Sequence, residues 1–321
     1  MKINKLHKAK IAVAIPYYNA SRHICDVVAK LPDFIDAVII TDDKSPEPMD
    51  QDAIRLAAQH PMQIVFLENP VNLGVGGATM KSFQYAIDHG FEIVVKMDAD
   101  DQMDPKFLPQ LIFPLLKNDA DMAKGNRFRD LNALKKMPFG RRMGNLMLSF
   151  LTKIATGYWN NFDPNNGYLA IKVSYLQQLD FSKLSSRYFF ETSLISQLYF
   201  IKARIKDVAM PAIYGDEISS MKVWHMPLVF STSLIKVYFK RILKEYFLYD
   251  FNIASLYLLT GLPLFLFGVV FGIIKWIYYY SHDILAPTGT IMVFTLSIIL
   301  GFQLLLQAIQ YDIINAPKPN N

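Results

Sequence analysis

Two long stretches without a formal charge, Ile253 to Ile274 and Gly289 to Tyr311, limit what this chain can become more than any other feature in it. Each runs for about 22 residues, which at 1.5 Å per helical residue covers a hydrocarbon core of about 30 Å. The link between them, Ser281 to Thr288, is short and contains proline. The pair therefore reads as a helical hairpin through a membrane. The competing reading, a buried helical pair in a soluble core, fits these lengths poorly.

Lys236, Lys240, Arg241 and Lys244 crowd the approach to the first stretch, and the link carries no Lys or Arg. By the positive-inside rule the N-terminal part and the C-terminus are expected in the cytoplasm, at the cytoplasmic membrane. The first residues, Met1 to Lys10, are basic but lack a signal peptide's apolar stretch, so nothing there argues for export. A single cysteine, Cys25, excludes an intrachain disulfide and fits a reducing compartment. The formal charge of +5 does not call for nucleic acid, because much of the basic excess sits beside the spans. Membrane lipid with anionic headgroups is the simpler partner. Between Leu228 and Tyr249, Lys236, Lys240 and Lys244 recur every four residues among apolar ones, as in a helix lying in the membrane interface. In the second span, Gln303, Gln307 and Gln310 recur at helical spacing and are expected to face the partner span, another subunit or a lipid head. The organisation expected is a domain over 1–225, an amphipathic juxtamembrane segment over 226–250 and the hairpin with a short tail over 251–321.

The first part is α/β. Candidate strands Ile11–Ile15, Ala37–Thr41, Gln63–Leu67, Glu92–Met97 and Ala120–Lys124 alternate with helical patterns near 21–31, 50–60, 75–89 and 105–117. Such alternation marks an open, mostly parallel sheet, in which ligands bind beyond the carboxyl ends of the strands. Polar clusters fall at those ends: Pro16-Tyr17-Tyr18-Asn19 after the first strand, Asp42-Asp43-Lys44-Ser45 after the second, and Asp98-Ala99-Asp100-Asp101-Gln102 after the fourth. Oxygen ligands of the last kind suit Mg²⁺ or Mn²⁺, held through one or two carboxylates and substrate phosphates. On an extended segment Asp98, Asp100 and Gln102 would share one side. Taken alone, the run reads more readily as an acidic turn capping the helix that Pro105 begins. Asp42 or Asp43 can accept hydrogen bonds from a nucleobase or ribose, or can cap a helix. The small residues of Asn72-Leu73-Gly74-Val75-Gly76-Gly77 let a ligand or another chain segment approach the backbone.

Several chemistries are excluded. The glycine run lacks the third glycine of a dinucleotide fingerprint and the Gly-Lys-Ser/Thr of a P-loop. Counted from Asp98, Met103 and Pro109 occupy positions where an EF-hand needs Gly and Glu. The six histidines are scattered without zinc spacing, and no Gly-x-Ser-x-Gly elbow supports a hydrolase.

Together, Ile15-Pro16-Tyr17-Tyr18-Asn19, Asp42-Asp43-Lys44-Ser45, Asn72-Leu73-Gly74 and Asp98 through Pro105 resemble family 2 glycosyltransferases of the GT-A fold. Within that family the resemblance is to dolichyl-phosphate-mannose synthases and bacterial polyprenyl-phosphate glycosyltransferases with C-terminal membrane hairpins. Gly125-Asn126-Arg127, Asp163 to Tyr168 and Tyr214 to Ser219 look like further motifs of the family. The resemblance implies that Pro16, Tyr17, Asn19, Asp42, Asp43, Asn72 and Gly74 serve the nucleotide. It also implies that Asp98, Asp100 and Gln102 hold the metal and diphosphate, and that Arg127, Arg141 and Arg142 meet an acceptor phosphate. Ala20, Asp101, Met103 and Asn145 depart from the usual Glu, Gly, His and Ser.

The activity so implied is inverting transfer of a sugar from a UDP- or GDP-sugar to polyprenyl phosphate, by an enzyme that associates with copies of itself through the hairpins. Two alternatives stay open. Transfer to a sugar or lipid hydroxyl would need a base, for which Asp163 or Glu191 is placed, and a catalytically silent membrane scaffold would keep the fold alone.

Overall fold

Ile11, Val13 and Ile15 are buried on one face of the first strand and Ala12 and Ala14 on the other, so this strand has no wet side. A near-continuous apolar run of that kind suits a parallel sheet covered by helices on both faces. In the computed structural model, which describes residues 9–129, 139–164, 166–211 and 226–320, the strand is β1, Ile11–Tyr17. It is followed by α1, Ile24–Ala29; β2, Ala37–Asp42; α2, Gln51–Ala57; β3, Gln63–Glu68; and α3, Val75–Asp88. Then come β4, Ile93–Lys96; α4, Leu108–Leu116; β5, Met122–Asn126; α5, Phe139–Thr156; β6, Leu169–Lys172; α6, Phe190–Phe200; and β7, Ile205–Ala209. The seven strands lie in the order β3-β2-β1-β4-β6-β5-β7, with β6 antiparallel to both its neighbours.

Side-chain alternation sorts the core into two layers. Ile11, Val13, Ile15, Val38, Ile40 and Val95 pack with α1 and α4, where Val27, Leu108, Leu111 and Ile112 are buried. On the other face, Ala12, Ala14, Ile39 and Val94 pack against Phe83 and Ala86 of α3 and Phe190, Leu194 and Leu198 of α6. Alanines on β1 leave room for α3, whose first turn, Gly76-Gly77-Ala78, is equally small and buried. The expected strands are all present, each within two residues of its expected bounds. The late segment Tyr214 to Ser219 lies outside the described residues.

This unit takes in the chain to Ile235 and the tail Pro317–Asn321, and a second unit covers Lys236–Ala316. Helix α7, Met226–Leu243, runs into a π-helical turn, Lys244–Tyr249. Lys236 and Lys240 are exposed on it beside exposed Ile235, Phe239 and Leu243. Arg241 departs from the expectation for the basic cluster, being only 2% exposed. Its guanidinium donates to both carboxylate oxygens of Asp312, at 2.6 and 3.0 Å, and the Tyr246 hydroxyl donates to the same carboxylate at 2.5 Å.

The two apolar helices are α8, Ile253–Ser281, and α9, Thr288–Ile314. At 29 and 27 residues, with mean hydropathy 2.2 and 2.1, both are long and apolar enough to cross a membrane. Their most apolar stretches are only 17% and 11% buried, whereas a soluble core pair would hide them. Small residues bring the helices together. A β-carbon added at Gly301 would stand 2.5 Å from the backbone nitrogen of Phe265, and one at Gly268 would stand 2.8 Å from that of Ile298. Gln303 and Gln310 are exposed on α9, so they do not face the partner span.

Candidate active site

The strand order turns back between β1 and β4, and the crevice of an open α/β sheet lies at such a switch point. The ladder joining these strands ends at Ala14 and Lys96, two residues before Pro16, whose ring has no N–H to extend it. Beyond that point the chains part around a cleft of about 1530 Å³. Pro16, Tyr17 and Asn19 line one side, Asp98 through Gln102 another, and Asp43, Asn72 and Gly74 a third.

The acidic run is a turn, not an extended strand end, and this corrects the expectation that alternation puts Asp98, Asp100 and Gln102 on one side. Asp101 adopts φ +58°, in the left-handed region that short polar side chains tolerate better than most, at a position where the resemblance leads one to expect glycine. Its carboxylate pairs with Lys30. The turn closes through the Gln102 N–H, which donates to Asp100 Oδ1 at 3.0 Å. Met103 packs against the core and its sulfur accepts the Asp98 N–H at 3.2 Å. Folded this way, Asp98, Asp100 and Gln102 still line a common cavity.

Lys96 stands beneath this turn, 1% exposed, with Nζ 2.7 Å from Asp98 Oδ1 and 3.3 Å from Glu191 Oε1. Burial pushes the ammonium's pKa down, but the two carboxylates outweigh it and hold the pKa above lysine's usual value. Gly167 is the price of this packing, since a β-carbon there would stand 2.5 Å from Lys96 Nζ.

On the nucleotide side, Asp42 and Asp43 shape the wall through their neighbours. Asp42 Oδ1 accepts the N–H and hydroxyl of Ser45, and Ser45 Oγ accepts the Asn19 N–H at 3.0 Å, tying the loops after β1 and β2 together. Asp43, 3% exposed, accepts from Asn69 Nδ2 at 2.8 Å, the Leu73 N–H at 2.9 Å and the Gly74 N–H at 2.6 Å. Its carboxylate thereby fixes the entry to α3.

A second cavity, of about 150 Å³, is lined by Asp98, Asp100, Gln102 and Arg127. Arg127 leaves the end of β5 and grips Asp163 through both guanidinium arms, at 2.7 and 2.8 Å. Burial alone would raise Asp163's pKa, and the Arg127 hydrogen bonds override it, holding it below the usual carboxylate range. Behind them Lys124 is fully buried and donates to the carbonyls of Asp163 and Asn166, at 2.5 and 2.9 Å. Burial pushes its pKa down to about 8. Arg141 and Arg142 lie on α5; Arg142 lines neither cavity, and the Arg141 side chain lies outside the described residues.

Arg187 and Tyr188, both exposed, complete the larger cleft and carry no motif that sequence reasoning could find. Lys96 is equally hidden in the sequence, where it lies inside the candidate strand Glu92–Met97.

Among the described residues no three His, Cys, Asp or Glu side chains converge as a ligand set. A cation held by Asp100 or Asp98 together with substrate phosphates fits such a donor-poor, all-oxygen edge, in the manner of Mg²⁺.

Known proteins share this architecture. A UDP-N-acetylglucosamine–dolichyl-phosphate N-acetylglucosaminyltransferase of Methanococcus voltae is 30% identical over 56% of this chain and 75% of its own length. An undecaprenyl-phosphate mannosyltransferase of Micrococcus luteus is 27% identical over 62% of this chain and 82% of its own. Among solved structures, the glucosyl-3-phosphoglycerate synthase of Mycobacterium tuberculosis with Mn²⁺ and UDP-glucose superposes with a TM-score of 0.55. It is 21% identical, over 72% of this chain and 79% of that one, and the likeness shows a shared GT-A-type fold. Residues 12–180 match the family model described as Glycosyl transferase family 2, and the chain belongs to that family.

Proposed function

We propose that this protein is an inverting glycosyltransferase that moves a sugar from a UDP- or GDP-sugar to polyprenyl phosphate at the cytoplasmic face of a membrane. The observation that carries the reading is the cavity in which Asp98, Asp100 and Gln102 meet Arg127, an acidic edge and a cation sharing one phosphate-sized space. The relatives named for dolichyl and undecaprenyl phosphate, and the apolar helices α8 and α9, support the choice of acceptor.

In the reaction an oxygen of the acceptor phosphate attacks the anomeric carbon from the side opposite the diphosphate. The bond from that carbon to the diphosphate oxygen breaks and its electron pair leaves with the diphosphate. A bound Mg²⁺ or Mn²⁺ supplies charge neutralisation for the departing group. A phosphomonoester, with a second pKa of about 6, is largely dianionic at neutral pH and needs no general base. This agrees with the state of the two candidate bases. Asp163 is committed to Arg127, and Glu191 faces the Lys96 ammonium, so neither is poised to take a proton from a hydroxyl. Arg127, a permanent cation that lines the cavity and is held in place by Asp163, is the residue we assign to acceptor positioning.

The test supplies the protein in membranes with radiolabelled UDP- and GDP-sugars, undecaprenyl phosphate and Mg²⁺ or Mn²⁺. Label should move into the organic phase with one donor, and Asp100→Ala should abolish this while the protein still inserts. No extractable label with any donor would overturn the reading. Loss of activity in Glu191→Gln with polyprenyl phosphate inert would favour a hydroxyl acceptor. Absence of metal-dependent nucleotide-sugar binding in calorimetry would favour a scaffold.

A further inference from the structure

We propose that Arg187 answers the charge that develops on the departing diphosphate, acting on the donor side of the cleft as a residue of the transition state more than of the bound substrate. The inference rests on the glycosyl-transfer reading above and begins with the glycines of α3. A β-carbon at Gly76 would stand 2.5 Å from the Ser185 carbonyl oxygen and 2.8 Å from Phe190 Cβ. One at Gly74 would stand 2.7 Å from the Ser186 carbonyl oxygen and 2.8 Å from Arg187 Cγ. The Gly77 N–H donates to that Ser186 carbonyl at 3.0 Å. The small residues thus admit a segment of the chain itself, Ser185 to Phe190, against the entry to α3.

That segment is held from its other side as well. The Ser185 N–H donates to Ser193 Oγ at 2.9 Å, and the Phe190 N–H donates to the Arg187 carbonyl at 2.9 Å. Arg187 therefore stands on a fixed base and lines the cleft that the acidic turn also lines.

Three of the five carboxylates that line the cleft are already answered. Asp98 pairs with Lys96, Asp101 pairs with Lys30, and Asp43 is taken up by Asn69 and two backbone N–H groups. Among the described residues no ion pair is seen for Arg187, nor for Arg22, which also lines the cleft, so the Arg187 guanidinium is open to an anionic ligand. When the sugar's C–O bond breaks, the diphosphate gains one negative charge that it did not carry in the nucleotide sugar. A preorganised cation facing that group binds the departing diphosphate more strongly than the intact donor, which lowers the barrier and does not merely tighten binding.

The test uses the full-length protein in lipid nanodiscs with MnCl₂ and three probes: the nucleoside monophosphate, the nucleoside diphosphate and the nucleotide sugar, in both uridine and guanosine series. Arg187→Gln should weaken diphosphate binding about tenfold or more while changing nucleotide-sugar and monophosphate binding less than threefold. In turnover it should lower kcat by about a hundredfold with the donor KM within threefold, and Arg187→Lys should recover part of that loss. Equal weakening of all three probes would reduce Arg187 to a structural role, and unchanged diphosphate binding would overturn the proposal, as would failure of the wild-type protein to bind either diphosphate. If the wild-type protein transfers no sugar to polyprenyl phosphate yet the selective loss persists, the acceptor reading falls and the role of Arg187 stands.

Discussion

Lys96 Nζ lies 2.7 Å from Asp98 Oδ1 in a position only 1% exposed, so the first carboxylate of the acidic turn is held from below by a buried cation. The same ammonium reaches Glu191 at 3.3 Å and thereby joins β4, α6 and the turn into one charge-balanced unit. Removing it leaves the carboxylates of Asp98, about a third exposed, and Glu191, largely buried, without the cation they share, a state that is relieved by protonation or by movement. Lys96→Met should therefore raise the Mn²⁺ concentration needed for half-maximal activity by about 10- to 100-fold, the usual cost of losing a residue that orients a ligand. Gly167→Ala, which forces Lys96 aside, should do the same. A metal titration of both variants checks this, and an unchanged requirement would remove Lys96 from the site.

The glycines of α3 give a prediction in which two effects compete. Alanine is favoured over glycine inside a helix by about 1 kcal/mol. At Gly76, however, the added carbon meets a backbone carbonyl at 2.5 Å, and overpacking of that kind costs about 1 to 3 kcal/mol. Gly76→Ala should be the less stable protein despite its better helix propensity, with a lower Tm and a raised donor KM as the segment carrying Arg187 shifts. Thermal unfolding and initial-rate kinetics read the two effects separately.

What was legible in the sequence follows from how local each signal is. The strands could be read because both faces of the sheet are buried and leave continuous apolar runs, as in Ile11–Ile15. The polar clusters could be assigned to one edge because parallel strands end together. The shape of the acidic turn could not be read, since it depends on Asp101 taking a left-handed conformation that no spacing announces. Nor could the partner of the glycine run, which lies about a hundred residues away in sequence at Ser185 and Ser186. Nothing in the sequence marks Lys96 or Lys124, which lie within the candidate strands Glu92–Met97 and Ala120–Lys124, and only the fold reveals that each is buried against carboxylates or carbonyls.

Lys124 links stability to pH. Burial holds its folded-state pKa near 8, against about 10.4 for a lysine in an unfolded chain. Between those values the unfolded chain binds a proton that the folded one has shed, so stability rises with pH across this window and is flat below it. Denaturant unfolding of the wild-type protein from pH 7 to pH 10 should show that rise, and Lys124→Met should lose it. A wild-type profile with the same slope as the variant would contradict the buried lysine as its source.

Arg241 and Asp312 offer the sharpest separation between a pair and its parts. They are 71 residues apart in sequence, both nearly inaccessible, and joined by two hydrogen bonds with a third from Tyr246. Desolvating both charges costs nearly what their attraction returns, so the pair contributes little net stability, but either partner left alone is an uncompensated buried charge. Arg241→Met alone should cost about 3 to 5 kcal/mol and lower the unfolding temperature of the detergent-solubilised protein markedly. The double variant Arg241→Met with Asp312→Leu should recover most of that loss, and adding Tyr246→Phe should recover more by removing the hydroxyl that has lost its acceptor. If the single and double variants unfold together, the two residues are not coupled and the ion pair does not hold α7 to α9.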